Sequence, residues 1–169
     1  MDPYLLGLRL AGRRVLVVGG GGVASRRVPA LLAAGAEVLL VSPEIAASLE
    51  DLAAAGRIRW AARGYQAGDC AGAWLVCACT DDPEVNAAVT AAAEAQRTWY
   101  VRADDATESA AWTPASGRAG DVRVGVLSVD PRRADPRHSA ALRDESLEIP
   151  RNIERGREHD QRAERRFVR

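Results

Sequence analysis

The sequence predicts an α/β protein built on a doubly wound parallel sheet, and three observations carry that expectation. Val15 to Val18 is an unbroken apolar run rich in β-branched residues, as in a strand buried on both faces. A run of glycines follows and opens directly into a helical pattern. The alternation of strand and helix then repeats down the chain in units short enough for parallel crossovers.

The first unit is "VLVVGGGGVASRRVPALLAAG". Val23, Val28, Leu31 and Leu32 recur at helical spacing, and Gly35 is a natural C-terminal stop. The glycines therefore occupy a strand-to-helix turn, where a linker would have polar, unpatterned neighbours. Gly19, Gly21 and Ala24 fit G-x-G-x-x-G/A, the fingerprint of a Rossmann-type dinucleotide site. Gly19 permits the tight turn, Gly21 lets backbone approach a pyrophosphate, and Ala24 lets helix pack on strand. A helix N-terminus with unpaired N–H groups then faces the phosphates. The competing reading is a tight structural turn in some other α/β protein.

The second strand, "AEVLLVSPE", ends at Ser42 and Pro43, with Glu44 just beyond. The acid expected about 20 residues after the glycines, to hold the ribose hydroxyls, is thus absent or displaced. No arginine stands there to invite an extra phosphate, so NAD is preferred to NADP. "EIAASLEDLAAAG" reads as a helix and "RIRWAARGY" as a short strand running into a loop through Gly64 and Gly68. "GAWLVCAC" is a further buried strand, ending in "TDDPEVN". Thr80, Asp81 or Asp82 can cap the next helix, whose first turn begins at Pro83. That helix carries Val85, Ala88 and Val89 on one stripe, and "TWYVRA" is the next strand, closed by Asp104 and Asp105.

In such a sheet ligands lie outside the carboxyl ends of the strands. The glycine turn, Ser42, Thr80 and Asp104 all fall at that edge. Asp104 and Asp105 are paired carboxylates there. One of them can serve as a general base if its pKa rises toward working pH, or it can simply cap the next turn.

Composition excludes several classes. The chain has 169 residues and zero formal net charge, with no lysine, so no global field recruits nucleic acid or an anionic membrane. Cys70, Cys77 and Cys79 have no metal-ligand spacing and read as buried free thiols. No signal peptide or long apolar span is visible, and a cytosolic location is expected. After about residue 112 the pattern changes. "WTPASGRAG" reads as a loop, "DVRVGVLSV" as a half-exposed strand, and the stretch that follows as holding a short helix at most. Residues 151–169 are charged with both signs and read as a solvated or disordered tail.

Taken together, "GRRVLVVGGGGVASRR", "LLAAGAEV", "GRIRW", "GAWLVCACTDDPEVN" and "VRADDATESAAWTPA" resemble, in order and spacing, the precorrin-2 dehydrogenase family, which includes the N-terminal module of siroheme synthase. The resemblance covers roughly residues 3–128. It implies a cytoplasmic homodimer that uses NAD⁺ to oxidise precorrin-2 to sirohydrochlorin, a step in sirohaem (porphyrin) biosynthesis. In some members the same site then acts as a sirohydrochlorin ferrochelatase. The family's cofactor contacts carry over to Gly21, Gly22, Val23, Pro43, Glu44 and Thr80, and its catalytic aspartate to Asp104. Arginines near the crevice would orient the substrate's carboxylates, with Arg102, Arg118 and Arg123 the candidates. Ser128 matches a family position, but the glycines that normally follow it are missing, and "SAALRD" stands where the family has a dimerisation helix.

The expected organisation is an NAD-binding domain over 1–112, a dimerisation and substrate segment over 113–150, and the tail. No methyltransferase module is expected after it. Two rivals stand beside this reading: a non-catalytic NAD-binding module, and a ferrochelatase that keeps the fold without using NAD.

Overall fold

The computed structural model describes residues 3–129, 135 and 137–148. The expected tail over 151–169 lies outside them. The chain divides into two compact units, one spanning Leu5–Trp112 and one taking in the described residues from Thr113 onward.

The first unit holds a five-stranded, all-parallel sheet in the order β3-β2-β1-β4-β5. Its strands are β1 (Arg14–Val18), β2 (Glu37–Val41), β3 (Arg59–Ala61), β4 (Leu75–Ala78) and β5 (Trp99–Arg102). β1 lies at the centre and is buried on both faces, as its unbroken apolar sequence requires. The chain winds outward through β2 and β3, then returns to the other side of β1 to add β4 and β5. The order therefore reverses between β1 and β4, which is where such sheets hold their ligands.

Strand alternation sorts the core into two layers. Val15 and Val17 pack with Val28 of α1 (Gly22–Ala33) and Leu49 of α2 (Ala47–Ala54). Leu16 and Val18 pack on the opposite face with Val89 and Ala93 of α3 (Pro83–Ala95). Each of these seven valines and leucines is at most 2% exposed, and each such side chain contributes about 1.5–3 kcal/mol when taken out of water. Gly35, at φ +77°, closes α1 where a left-handed residue is needed, with Ala36 N–H donating back to Leu31 O at 3.1 Å. At the far end of the sheet, the outer side of β5 is covered by its own continuation. Ala111 N–H donates to Tyr100 O at 3.0 Å, and Arg102 N–H donates to Ser109 Oγ at 2.8 Å.

The second unit departs from expectation in two places. "WTPASGRAG" is not simply a loop: Ala115–Ala119 forms β6, paired antiparallel with β7 (Val122–Val126) around a turn at Gly120, φ +55°. Small residues at 115–117 mask the alternation that would have revealed the strand. Residues 137–148 are helical over three turns, more than the short remnant expected. Leu147 of that helix is buried and lies against Gly117, where a Cβ would collide with its Cδ1. No helix among the described residues is long and apolar enough to cross a membrane.

Candidate functional site

The loops after β1, β2, β3 and β4 converge at the carboxyl edge of the sheet around a cleft of about 470 Å³. Gly19, Gly20 and Gly21 form its floor beside the switch point, and Ser42, Pro43, Glu44 and Ile45 form one wall. Gly64 and Tyr65 add a second wall, and Cys79, Thr80, Asp81 and Val85 a third.

The glycines have separate reasons to be glycine. Gly19 sits at φ +102°, and a Cβ there would lie 2.5 Å from Cys79 O and 2.8 Å from Thr80 N. Gly20 has ordinary φ, but its Cβ would strike Glu44 O and Ile45. That contact lets Ala46 N–H donate to Gly20 O at 2.9 Å and draws the β2 loop onto the turn. Gly21 is different again: it caps α1 at φ −83°, and no protein atom lies within 4 Å of the Cβ position. Space is open where a phosphate would approach the first turn of α1. The backbone is therefore shaped to admit an anionic group there.

Among the residues expected at the cofactor, Gly19, Gly21, Ser42, Pro43, Glu44 and Thr80 line this cleft. Gly22, Val23 and Ala24 begin α1 behind it. Ala24 is fully buried in the core, which is the packing role assigned to it from sequence. Ser42 is turned inward: its Oγ donates to Glu44 O at 2.6 Å, so that hydroxyl shapes the loop. Trp60 Nε1–H fixes the same loop by donating to Ser42 O at 2.9 Å. Glu44, displaced beyond the strand end in sequence, is restored to the cleft wall by this turn. Tyr65, Gly64, Ile45 and Gly20 were not expected in the site, because nothing local in the sequence marks them.

The Tyr65 wall is anchored from outside the cleft. Arg63 grips Asp69 through two bonds of 2.6 and 2.8 Å, and Asp69 also accepts from Gln66 N–H at 2.9 Å. The Arg63 guanidinium holds the Asp69 carboxyl below its ordinary value. Cys70, Cys77 and Cys79 are free and buried, and burial pushes the Cys77 thiol up to about 12. Among the described residues, no group of three or more His, Cys, Asp or Glu side chains is placed to hold a metal ion.

Around Thr80 the candidate caps sort themselves. Asp82 caps α3, its Oδ1 accepting from Glu84 N–H at 2.8 Å and Val85 N–H at 3.2 Å. Asp105 caps the 3₁₀ turn Ala106–Glu108, accepting from Thr107 N–H at 2.8 Å. Asp104 caps nothing. Its carboxylate is clamped by Arg102, with Nε to Oδ1 and Nη2 to Oδ2 both at 2.9 Å. That guanidinium holds the Asp104 carboxyl below the ordinary carboxylate value, opposite to the rise a general base would want. Arg102 is thus partnered by Asp104 and by Pro83 O at 3.3 Å, where sequence alone had it awaiting substrate. Arg118, Arg123 and Ser128 belong to the other unit. Arg118 and Arg123 stand directly opposite each other across the β6–β7 hairpin, and Arg118 Nε donates to Gly120 O at 2.5 Å.

Comparison with known proteins agrees with this geometry. The NAD(P)-binding family model NAD_binding_7 matches residues 6–115. The chain belongs to this NAD(P)-binding family. The residues that line the cleft all fall within the matched stretch. Siroheme synthase 3 of Aeromonas hydrophila is 41% identical over 128 residues, which is 76% of this chain and 27% of that protein. A siroheme synthase of Pseudomonas putida (strain W619) is 48% identical over 95 residues, 56% of this chain and 20% of that protein. The chain therefore spans about a quarter of the length of the curated relatives it matches. In structure it is similar to SirC, precorrin-2 dehydrogenase, with a TM-score of 0.71 at 24% identity over 87% of this chain and 71% of that one. The resemblance drawn from the motifs holds, and the fold is the one it implied.

Proposed function

We propose that this chain oxidises precorrin-2 to sirohydrochlorin with NAD⁺ as hydride acceptor, within sirohaem biosynthesis. The observation that carries the reading is one shared edge. The open glycine turn at Gly21 and the Thr80 loop stand at strand carboxyl ends beside the β1–β4 switch point, and Asp104 follows the carboxyl end of β5, the neighbour of β4, outside the residues that line the cleft. The likeness to siroheme synthases supports this choice of substrate.

The bound nicotinamide would supply the two-electron sink, and the residues supply the rest. Gly19, Gly20 and Gly21 cradle the pyrophosphate at the N-terminus of α1. Glu44 in the wall after β2, with no arginine among the cleft residues, favours the free ribose hydroxyls of NAD over the 2′-phosphate of NADP. Oxidation removes a hydride and a proton from the macrocycle, and Asp104 takes the proton. In the resting site Asp104 is charged, as a base must be, but Arg102 weakens it. A substrate rich in carboxylates draws Arg102 toward itself, and Asp104 regains basicity only when substrate is seated. Arg118 and Arg123, two cations facing one another across a hairpin, are further candidates for substrate carboxylates. The family resemblance also carries a homodimer and, as a second step, iron insertion into sirohydrochlorin, with the metal as substrate.

The test mixes purified protein with precorrin-2 and NAD⁺ anaerobically and without metal, and follows NADH together with the tetrapyrrole spectrum. NADH appearing in step with sirohydrochlorin is the expected result. NAD⁺ binding without turnover would overturn the dehydrogenase reading in favour of a binding module. Sedimentation equilibrium of the same sample checks the dimer.

A further inference from the structure

Tyr65 lines the cleft from a loop that is closed on itself. Arg63 and Asp69, at the two ends of that loop, are joined by bonds of 2.6 and 2.8 Å, and Arg63 Nη1 also donates to Gly64 O at 2.9 Å. Inside the loop, Gln66 N–H donates to Asp69 Oδ2 and Asp69 N–H donates to Gln66 O, both at 2.9 Å. Arg14 of β1 ties the same end to the sheet, its Nη2 donating to Asp69 O at 3.1 Å. Tyr65 lies within this clasp. Its Oη shares a hydrogen bond of 3.3 Å with Sγ of Cys70, which is fully buried and belongs to the core layer of Val89 and Ala93. Burial pushes both the phenol and the thiol up, so the two meet as neutral groups. The side chain is thus pinned to the core at its hydroxyl end, and its loop is held by an ion pair, while the residue stays partly exposed on the cleft.

We propose that Tyr65 is the residue on which the adenine base of the dinucleotide lies, and that the Arg63–Asp69 pair is the positioning device that holds it there. This rests on the reading of the cleft as an NAD⁺ site. The strand order β3-β2-β1-β4-β5 decides which base is meant. A pyrophosphate at the N-terminus of α1, beside β1, leaves the two nucleosides on opposite sides of that strand. The nicotinamide must face the macrocycle, and Asp104, the proposed proton acceptor, follows β5 on one side. The adenosine half then falls on the other, where Glu44 follows β2 and Gly64 and Tyr65 follow β3. An aromatic side chain suits a purine because every base has a π-face, and a ring already fixed by its neighbours loses little freedom on binding. Gly64, just before it, has no protein atom within 4 Å of its Cβ position and adds no side chain to block the approach.

The test is calorimetric titration of the full chain with NAD⁺ and with ADP-ribose, which keeps the adenosine and both phosphates but lacks the nicotinamide. Thermal melts without ligand verify that each variant is folded. Tyr65→Ala should weaken both ligands by the same factor, about fivefold or more, the low end for a base laid on an aromatic side chain. Tyr65→Phe keeps the ring and loses only the bond to Cys70, so it should bind both ligands more tightly than Tyr65→Ala does. Should Tyr65→Ala not fold, Tyr65→Leu, which keeps apolar bulk against the core, takes its place with the same expected loss. Arg63→Gln should weaken NAD⁺ in the wild-type background and add nothing once the ring is gone; an equal loss in both backgrounds overturns the positioning role of the ion pair. Unchanged affinities after removal of the ring overturn the proposal. So does a loss for NAD⁺ that ADP-ribose does not share, which places the ring against the nicotinamide, and so does a Tyr65→Phe protein as weak as Tyr65→Ala. Wild-type protein that binds neither ligand overturns the cofactor reading itself.

Discussion

Gly19 and Gly21 belong to one fingerprint but should fail in opposite ways when replaced by alanine. At Gly19 two costs combine. A side chain at φ +102° is strained by about 1–3 kcal/mol. Its Cβ would also stand 2.5 Å from Cys79 O and 2.6 Å from Cys79 C, backbone atoms at the end of a central strand that cannot yield cheaply. Overpacking of this kind adds about 1–3 kcal/mol. A total near 2–6 kcal/mol is a large part of the 5–15 kcal/mol typical of a domain. At about 4 °C per kcal/mol, the melting temperature should fall by about 8–24 °C. At Gly21 neither cost exists, since φ is −83° and the Cβ would meet no protein atom within 4 Å. Alanine is a poorer N-cap than glycine by up to about 1 kcal/mol. The loss of unfolded-state entropy returns about 0.4–1 kcal/mol, so stability should hardly change. What the methyl occupies is the approach to the helix N-terminus, so cofactor affinity should fall at least about tenfold, or 1.4 kcal/mol. Thermal melts without cofactor and calorimetric titration with NAD⁺ separate the two effects. A Gly19→Ala protein as stable as wild type would refute the steric argument. A Gly21→Ala protein that binds NAD⁺ normally would refute the phosphate cradle.

Three further outcomes follow from the same geometry. Arg102→Gln removes the bidentate partner that lowers the Asp104 titration, so the acid limb of kcat/KM should move to higher pH; an unmoved limb removes Asp104 as the group titrating there. Asp69 has a folded value below its unfolded one of about 3.9, so its pair with Arg63 contributes stability that is complete above the unfolded value and is lost as pH falls through the folded one. Asp69→Asn should therefore flatten the acid side of a plot of melting temperature against pH, and a parallel curve would refute it. Arg97 follows α3 at φ +54°, a left-handed C-terminal position, so Arg97→Gly should stabilise by about 0.5–1 kcal/mol in urea unfolding.

Most of the fold was legible because the parallel sheet announces itself locally. A strand buried on both faces must be apolar throughout, so β1 and β4 stood out, and the turns between strand and helix are marked by Gly, Pro and Asp with stereochemical causes. What escaped were features with no local imprint. β6 is built from Ala115, Ser116 and Gly117, whose small side chains give no alternation, and Gly117 is small because Leu147, thirty residues on, lies against it. Gly20 fell on a variable position of the fingerprint, yet the path of the β2 loop leaves it no room for a side chain. Tyr65 reaches the cleft from the loop after an edge strand of three residues, held there by an ion pair that only the folded chain assembles.

The chemistry of Asp104 shows where a sequence rule would have served. Residues two apart at the end of a strand emerge on the same side, so Arg102-Ala103-Asp104 already places a guanidinium beside the carboxylate. Read that way, Arg102 and Asp104 are one charged unit, and the expectation of a carboxylate with raised pKa was the less physical one. A base neutralised by an arginine at rest is poorly placed to act on solvent or on a neutral ligand. It becomes competent when another anion competes for the guanidinium, and a macrocycle carrying carboxylates is such a competitor. On the proposed reading, the pair would connect recognition of the substrate's charge to the basicity of the group that takes its proton. Pro83 O, accepting from Arg102 Nη2, ties that pair to the first turn of α3.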